Sequence, residues 1–287
     1  MSWMLRPHGK IFYTAAGSGD TGVVFVHGAL CSHEDWSRQW DYFAARHAVL
    51  TLDLNGHGQS ANGPGNIGVM TYAGDLVALC EERGFSKVWL IGHSMGCRVI
   101  LQACVSAPER VAGLVFIDGA YLTPGLLTDK TPAEREALAQ AAIARANALY
   151  EAGQGPGARA QRGFSQMFFD PRFNAERDAM IERARQLPPY VARELMPDFA
   201  AWDLRHMEDA LAQLKVPVLA LACTYMNAAH ERVTLAPGLE TPWLQALKRH
   251  VPQHELVRME GAGHFPMIED PARVNALIED FIARHPA

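Results

Sequence analysis

Two short stretches hold the side chains on which covalent chemistry would turn: "GHSMG" at 92–96 and "GAGHF" at 261–265. A serine hydroxyl attacks a carbonyl carbon only when a base removes its proton, and an imidazole serves as that base. Ser94 is the candidate nucleophile and His264 the candidate base. "LIGHSMG" (90–96) passes from an apolar run into a serine held between two glycines, the pattern of a nucleophile elbow where a strand turns sharply into a helix. Side chains at Gly92 or Gly96 would collide with the neighbouring strand or helix in such a turn, and the following helix directs positive potential to the point where an oxyanion forms. The loop "HGALCSHEDW" (27–36) can aim the Ala29 amide at the same point as the Met95 amide, with Gly28 allowing close approach. Leu30 is the donor if the loop sits one residue out, and it is also a candidate substrate contact. Cys31 and His33 could line the same pocket. His93 is assigned to packing and Asp53 to a structural turn.

These residues need elements that bring them to one edge. "VVFVH" (23–27), "AVLTLDL" (48–54), "KVWLIG" (87–92), "GLVFID" (113–118), "PVLALAC" (217–223) and "ELVRM" (255–259) are short apolar runs rich in Val, Ile and Leu. Runs of this kind are strands covered on both faces. Amphipathic stretches at 36–47, 71–84 and 95–108 lie between the early ones, and strand alternating with helix gives a parallel, doubly wound sheet. His264 then follows the last strand, at the carboxyl edge where open α/β sheets carry their sites. "KIFYTAAGSGD" (10–20) reads as a leading strand and a glycine turn, with an antiparallel edge hairpin as an option.

The alternation stops after Asp118 and resumes at Val216. Within the gap, 131–152 and 174–187 have helical composition, with Thr131 and Glu134 spaced as a capping box. "GQGPGARAQRG" (153–163) reads as a flexible joint and "LPPYVARELMPDF" (187–199) as a proline-broken one. This is a helical insertion, and Phe164, Met167, Phe168 and Phe169 at its joint are candidates to face a pocket; Met167 and Phe168 are the ones assigned to substrate.

Composition narrows the classes. The 287 residues are 49% hydrophobic, enough for one large core or two modest ones, and the net charge of −5 comes without a Lys/Arg run, so nucleic acid is not an expected partner. No apolar stretch reaches the ~18–20 residues of a membrane span and the N-terminus lacks the centre of a secretory signal, so a cytoplasmic protein with no membrane association is expected. Cys31, Cys80, Cys97, Cys104 and Cys223 are odd in number and lack Cys-x-x-Cys spacing, which points to free buried thiols. Twelve histidines form no His-Glu-x-x-His motif, and neither a metal nor a cofactor is expected. A small-molecule substrate is the expected partner.

The motifs "HGALCS", "DLNGHGQS" (53–60), "GHSMG" and "GAGHFPMIEDP" (261–271), in this order and spacing, resemble the α/β-hydrolase fold family. The resemblance covers roughly 1–121 and 209–287, and it implies an α/β core of doubly wound, mostly parallel sheet over those residues. Residues 122–208 would then be a helical cap, or lid, that shapes substrate access. The family order is nucleophile, acid, histidine, and the acid commonly follows the strand at 217–223. Here that loop reads "CTYMNAAHERV", without aspartate. Asp118, at the carboxyl end of the strand beside the nucleophile strand, is the preferred acid, as in some dehalogenases, C–N hydrolases and cofactor-free dioxygenases that the chain is similar to. Glu231 and then Asn227 are the alternatives.

The expected activity is hydrolysis of a carboxylic ester, or a related lactone or amide, of a small apolar or aromatic molecule through an acyl-enzyme. A carbon–carbon bond hydrolase, a cofactor-free dioxygenase using His264 and Asp118, and a ligand receptor stand as alternatives. Arg162, Arg172 and Arg205 are candidates to recognise a carboxylate. Turnover is expected to fall as pH drops through a histidine pKa of roughly 6 to 7.

Overall fold

The computed structural model describes residues 2–60, 62–121, 125–153, 156–227 and 231–287. Its strands are β1 (Ser2–Arg6), β2 (Gly9–Ala16), β3 (Thr21–Val26), β4 (Ala48–Leu52), β5 (Lys87–His93), β6 (Val111–Ile117), β7 (Val218–Ala222), β8 (Thr224–Met226), β9 (Arg232–Thr234) and β10 (Glu255–Arg258). Eight of them form one sheet in the order β1-β2-β4-β3-β5-β6-β7-β10, with β8 and β9 as a separate hairpin. β1, β2 and β4 pair antiparallel and every other neighbour in the large sheet pairs parallel. The edge hairpin is made by residues 2–6 and 9–16, so the leading strand folds back on the segment before it.

Strand alternation explains the unbroken apolar runs. Val24, Val26, Leu50, Leu52, Leu90, Leu114, Phe116 and Ala220 fill one face of the sheet, while Val23, Phe25, Val49, Trp89, Ile91, Val115, Ile117 and Leu219 fill the other. The helices that cover these faces are α1 (Ser37–Ala44), α2 (Val69–Glu82), α3 (Gly96–Ser106), α4 (Pro132–Glu151), α5 (Pro156–Phe164), α6 (Asn174–Arg185), α7 (Pro189–Ala212), α8 (Pro242–His250), α9 (Pro266–Glu269) and α10 (Pro271–Arg284). α2, α3, α7 and α8 contribute to the first layer, and α6 and α10 to the second.

Between β6 and β7 the chain is helical, and two sequence expectations there are corrected. The joint at 153–163 is largely helix α5, residues 154 and 155 lying outside the described ones. The stretch 187–199 opens α7, a continuous 24-residue helix with Pro197 inside it that runs past residue 208 to Ala212. A proline inside a helix costs ~3 kcal/mol through the missing N–H and a steric clash. Burial of Val191, Leu195, Phe199 and Trp202, at roughly 1.5–3 kcal/mol for each large apolar side chain, outweighs that. The stripe of α7 beside it makes polar contacts: Tyr190 Oη, Glu194 Oε2 and Asp198 Oδ2 accept the amides of Gly63 (3.0 Å), Gly65 (2.8 Å) and Val69 (2.8 Å). Asp198 thereby caps α2, whose own N-cap residue is Gly68 and has no side chain to do it. The Thr131–Glu134 capping box forms at the start of α4.

All five cysteines are buried and unpaired. Among the described residues, no helix is long and apolar enough to cross a membrane.

Candidate active site

The carboxyl ends of β3, β5 and β6 are neighbours in the sheet, and each leads into one strained residue. Leu30 (φ 62°), Ser94 (φ 55°) and Asp118 (φ 44°) are the non-glycine residues with positive φ among those described. Left-handed backbone at residues with a Cβ costs of order 1–3 kcal/mol each and persists where surrounding structure enforces it.

At the serine, the enforcement is steric. A Cβ on Gly92 would lie 2.5 Å from the Gly96 carbonyl oxygen, and one on Gly96 would lie 2.4 Å from that of Val26. Both obstacles are main chain, so neither position accepts a side chain at this turn. The Ser94 amide donates to Ile117 O at 2.9 Å, which ties the turn to the adjacent strand. Ser94 is half-buried, with α3 starting two residues later.

His264 sits on the loop between β10 and α9, held from three sides. Its amide donates to Met167 O at 2.7 Å, its carbonyl accepts from His93 Nε2 at 2.7 Å, and its ring lies 4.7 Å from that of His93. Because a carbonyl only accepts, the His93 proton is on Nε2, and His93 serves as a buried support for the His264 loop. Phe265 anchors the same loop by stacking on Phe168, with ring centroids 5.0 Å apart.

Asp118 is the carboxylate that reaches the imidazole: Oδ2 lies 2.6 Å from His264 Nδ1. Oδ2 also accepts the Thr224 hydroxyl at 2.5 Å, while Oδ1 accepts the amides of Cys223 (2.8 Å) and Thr224 (2.9 Å). Burial pushes this carboxyl up, but the hydrogen bond and charge of His264, Arg232 and Thr224 hold it below the ordinary aspartate range. An ionised Asp118 accepts, so Nδ1 carries the ring proton and Nε2 is bare. Nε2 is buried and has no hydrogen-bond partner among the described residues.

Asn227 and Glu231 do not share this position. They close the β8–β9 hairpin on each other, with Asn227 Nδ2 donating to Glu231 Oε2 at 3.1 Å and the Glu231 amide returning to Asn227 Oδ1 at 2.9 Å. The hairpin instead delivers two groups that sequence reasoning passed over. Thr224 and Arg232 are diagonal neighbours across β8 and β9. Arg232 Nη1 donates to Thr224 Oγ1 at 2.7 Å, lies 3.2 Å from His264 Nδ1, and lies 3.8 Å from Asp118 Oδ2. Nothing in "HERVT" distinguishes this arginine from one on a solvated edge.

Arg162 and Arg172 are exposed, and Arg172 and Arg205 pair with Asp170 and Glu136. The arginine at the site is Arg232, half-buried with its side chain 13% exposed. Burial first and Arg232 second push the His264 imidazole down to about 4 against the pull of Asp118, which corrects the expectation of an ordinary histidine value.

The loop after β3 is ordered by two buried histidines. His27 donates from Nδ1 to Gly28 O at 2.8 Å, and His57 Nε2 accepts the Leu30 amide at 3.2 Å. That bond occupies Leu30 as a donor. Among the described residues no hydrogen bond takes up the amides of Ala29 or Met95. Cys31 is buried, and His33 is committed to Asp53, donating its amide at 2.7 Å with Nδ1 at 2.8 Å. Met167 is half-buried, Phe168 is packed into the Phe265 stack and Phe169 is exposed. No group of three or more His, Cys, Asp or Glu among the described residues is arranged to hold a metal ion.

Comparison with known proteins adds family context. A family model described as "Alpha/beta hydrolase family" matches residues 23–277. The chain is 26% identical over 283 residues to the dihydrolipoyllysine-residue acetyltransferase component of an acetoin cleaving system from Pseudomonas putida, a match covering 96% of this chain and 66% of that one. It is 30% identical over 132 residues to (E)-2-((N-methylformamido)methylene)succinate hydrolase from Acinetobacter baylyi, covering 46% of this chain and 47% of the relative. The chain thus spans less than two thirds of either curated relative. A thermophilic esterase structure from Thermogutta terrifontis superposes with a TM-score of 0.68 at 25% identity, covering 97% of this chain and 94% of the other.

Proposed function

The chain belongs to the alpha/beta hydrolase family, and from that premise we propose that it is a serine hydrolase cleaving a carboxylic ester, or a related lactone or amide, of a small apolar or aromatic molecule. The observation that carries the proposal is the polarity of His264: its Nδ1 proton is committed to Asp118 and its Nε2 is a buried, unpartnered acceptor. A buried acceptor without a donor is costly, and it is retained where it has a proton to take.

In the proposed cycle, His264 Nε2 takes the Ser94 hydroxyl proton as Oγ bonds to the substrate carbonyl carbon. The carbonyl oxygen becomes an oxyanion held by the Ala29 and Met95 amides, and Asp118 stabilises the imidazolium. Collapse breaks the bond to the leaving oxygen or nitrogen, which takes the proton back from Nε2 and departs. Water then gives a proton to Nε2 and attacks the acyl-Ser94 ester; the carboxylic acid leaves and Ser94 recovers its proton. Met167 and Phe168 belong, in this reading, to the cap side of the substrate pocket. The Thermogutta terrifontis esterase and the Acinetobacter baylyi hydrolase support the choice of hydrolysis.

The test is Ser94→Ala assayed on a panel of short-chain aryl esters, with a serine-reactive phosphonate as an active-site label. Wild type is expected to turn over and to be labelled at Ser94; Ser94→Ala is expected to lose both while melting at the same temperature. Full activity in Ser94→Ala, or oxygen uptake that survives the substitution, overturns the proposal.

A further inference from the structure

We propose that Arg232 is a positioning residue for the reaction: its guanidinium, seated against both members of the Asp118–His264 pair, keeps the imidazole neutral and so extends turnover into acid. The inference rests on the hydrolase reading above. It goes beyond that reading by assigning a function to a residue outside the serine, histidine and aspartate.

The geometry leaves the arginine few alternatives. Its amide is fixed to Gln166 Oε1 at 3.0 Å, and Nη1 donates to Thr224 Oγ1 at 2.7 Å. A hydroxyl has a single proton, and the Thr224 one goes to Asp118 Oδ2 at 2.5 Å, so the arginine reaches the carboxylate through a relay of two hydrogen bonds. Nη1 also comes within 3.2 Å of His264 Nδ1. With Asp118 ionised, Nδ1 carries a proton, so Nη1 and Nδ1 are two donors side by side and not a hydrogen-bonded pair. A permanent cation at that distance opposes any second proton on the ring.

The surrounding charges do not cancel this. His264 faces Asp118 from the end of β6, Arg232 from β9 and His93 from the end of β5. Cys223 follows β7, with Arg273 of α10 acting on it, and Glu269 of α9 holds the Gly263 amide at 2.9 Å with Asp170 acting on it from the insertion. His93 is itself held neutral by burial and by His264. Glu269, pushed up to about 7 by burial, is largely protonated in acid. Below neutral pH, the ionised partners that act on the imidazole are therefore Asp118 and Arg232, of opposite sign.

The experiment compares wild type, Arg232→Gln and Arg232→Lys. The first readout is the titration of the His264 ring by nuclear magnetic resonance of histidine-labelled protein, which requires no turnover. The second is the pH dependence of kcat/KM on a short-chain aryl ester, each variant normalised to its own plateau. Arg232→Gln is expected to move both the ring titration and the acid limb upward by about one pH unit or more, a ~10-fold rise in proton affinity, with Arg232→Lys between it and wild type. A wild-type ring that titrates at an ordinary histidine value overturns the proposal, as does coincidence of the three normalised profiles. Should Arg232→Gln fail to fold, the Arg232→Lys displacement and the wild-type titration decide. Failure of the hydrolase reading would be seen separately, as full activity in Ser94→Ala.

Discussion

Replacing Asp118 by Asn preserves the shape of the site and reverses the polarity of the imidazole. Oδ1 of Asp118 accepts two main-chain amides, from Cys223 at 2.8 Å and Thr224 at 2.9 Å. These pin the asparagine oxygen to the same place and turn its NH2 group towards His264 Nδ1. A donor facing Nδ1 forces that nitrogen to accept, and Arg232 Nη1, already 3.2 Å away, reinforces the change. The ring proton is expected to move to Nε2, where, in the proposed cycle, it blocks acceptance of the Ser94 proton. Inverting the tautomer in a Ser-His-Asp enzyme lowers kcat by ~10⁴-fold, which is about 5 kcal/mol of lost transition-state stabilisation at 1.36 kcal/mol per tenfold. Stability should fall as well, because Arg232 keeps its charge in a largely buried site. Breaking a buried ion pair costs ~3–5 kcal/mol, and the 3.8 Å separation here puts the expected loss at the low end of that range. Ester turnover and thermal denaturation, run on Asp118→Asn beside Glu231→Gln, provide the assay. Asp118→Asn that is folded and within tenfold of wild type would refute the reasoning; a 10⁴-fold loss in Glu231→Gln would transfer the role to Glu231.

Gly96→Ala places a Cβ 2.4 Å from Val26 O and 2.8 Å from His27 O, and overpacking of this kind costs ~1–3 kcal/mol, so both the melting temperature and turnover should drop; Gly74→Ala, with nothing within 4 Å in mid-helix α2, should gain ~0.5–1 kcal/mol. Equal melting temperatures for the two would contradict the elbow geometry. His27 and His57 are fully buried and neutral, with burial lowering them to about 3 and about 4 from 6.5. Their contribution to stability is complete above pH 6.5 and is lost as pH falls towards the folded values, because the unfolded chain takes up protons first. At pH 5 the loss is about 2 kcal/mol for each, from a 1.5-unit interval at 1.36 kcal/mol per unit, and a urea midpoint unchanged between pH 7 and pH 5 would argue against it.

The sheet was legible because both of its faces are covered. Val23 to Val26 and Leu114 to Ile117 alternate between two buried layers, which leaves no polar position to interrupt the run. β1 was not legible: Met4 is its one fully buried residue, while Trp3 and Leu5 are exposed, so "SWMLR" carries no alternation that reads as a half-buried strand. α7 was masked by Pro197, since local propensity argues for a break and only the tertiary burial of Leu195, Phe199 and Trp202 reverses it. At the site, Ser94 stood out because glycines bracket it, His264 because two glycines precede it, and both because strand ends position them. Arg232 did not, because its burial depends on a hairpin of two three-residue strands, each too short to show a period.

The bond from the His264 amide to Met167 O has a consequence for anyone who would recombine such proteins. Met167 lies 97 positions upstream of the histidine in the chain, yet its carbonyl and the Phe168 ring are one side of the support on which the histidine loop rests. Grafting an insertion from a relative as an interchangeable module would remove the floor beneath the imidazole. Crossover points that leave 164–169 with the recipient would retain it, so the unit of exchange is smaller than the segment between the two strands.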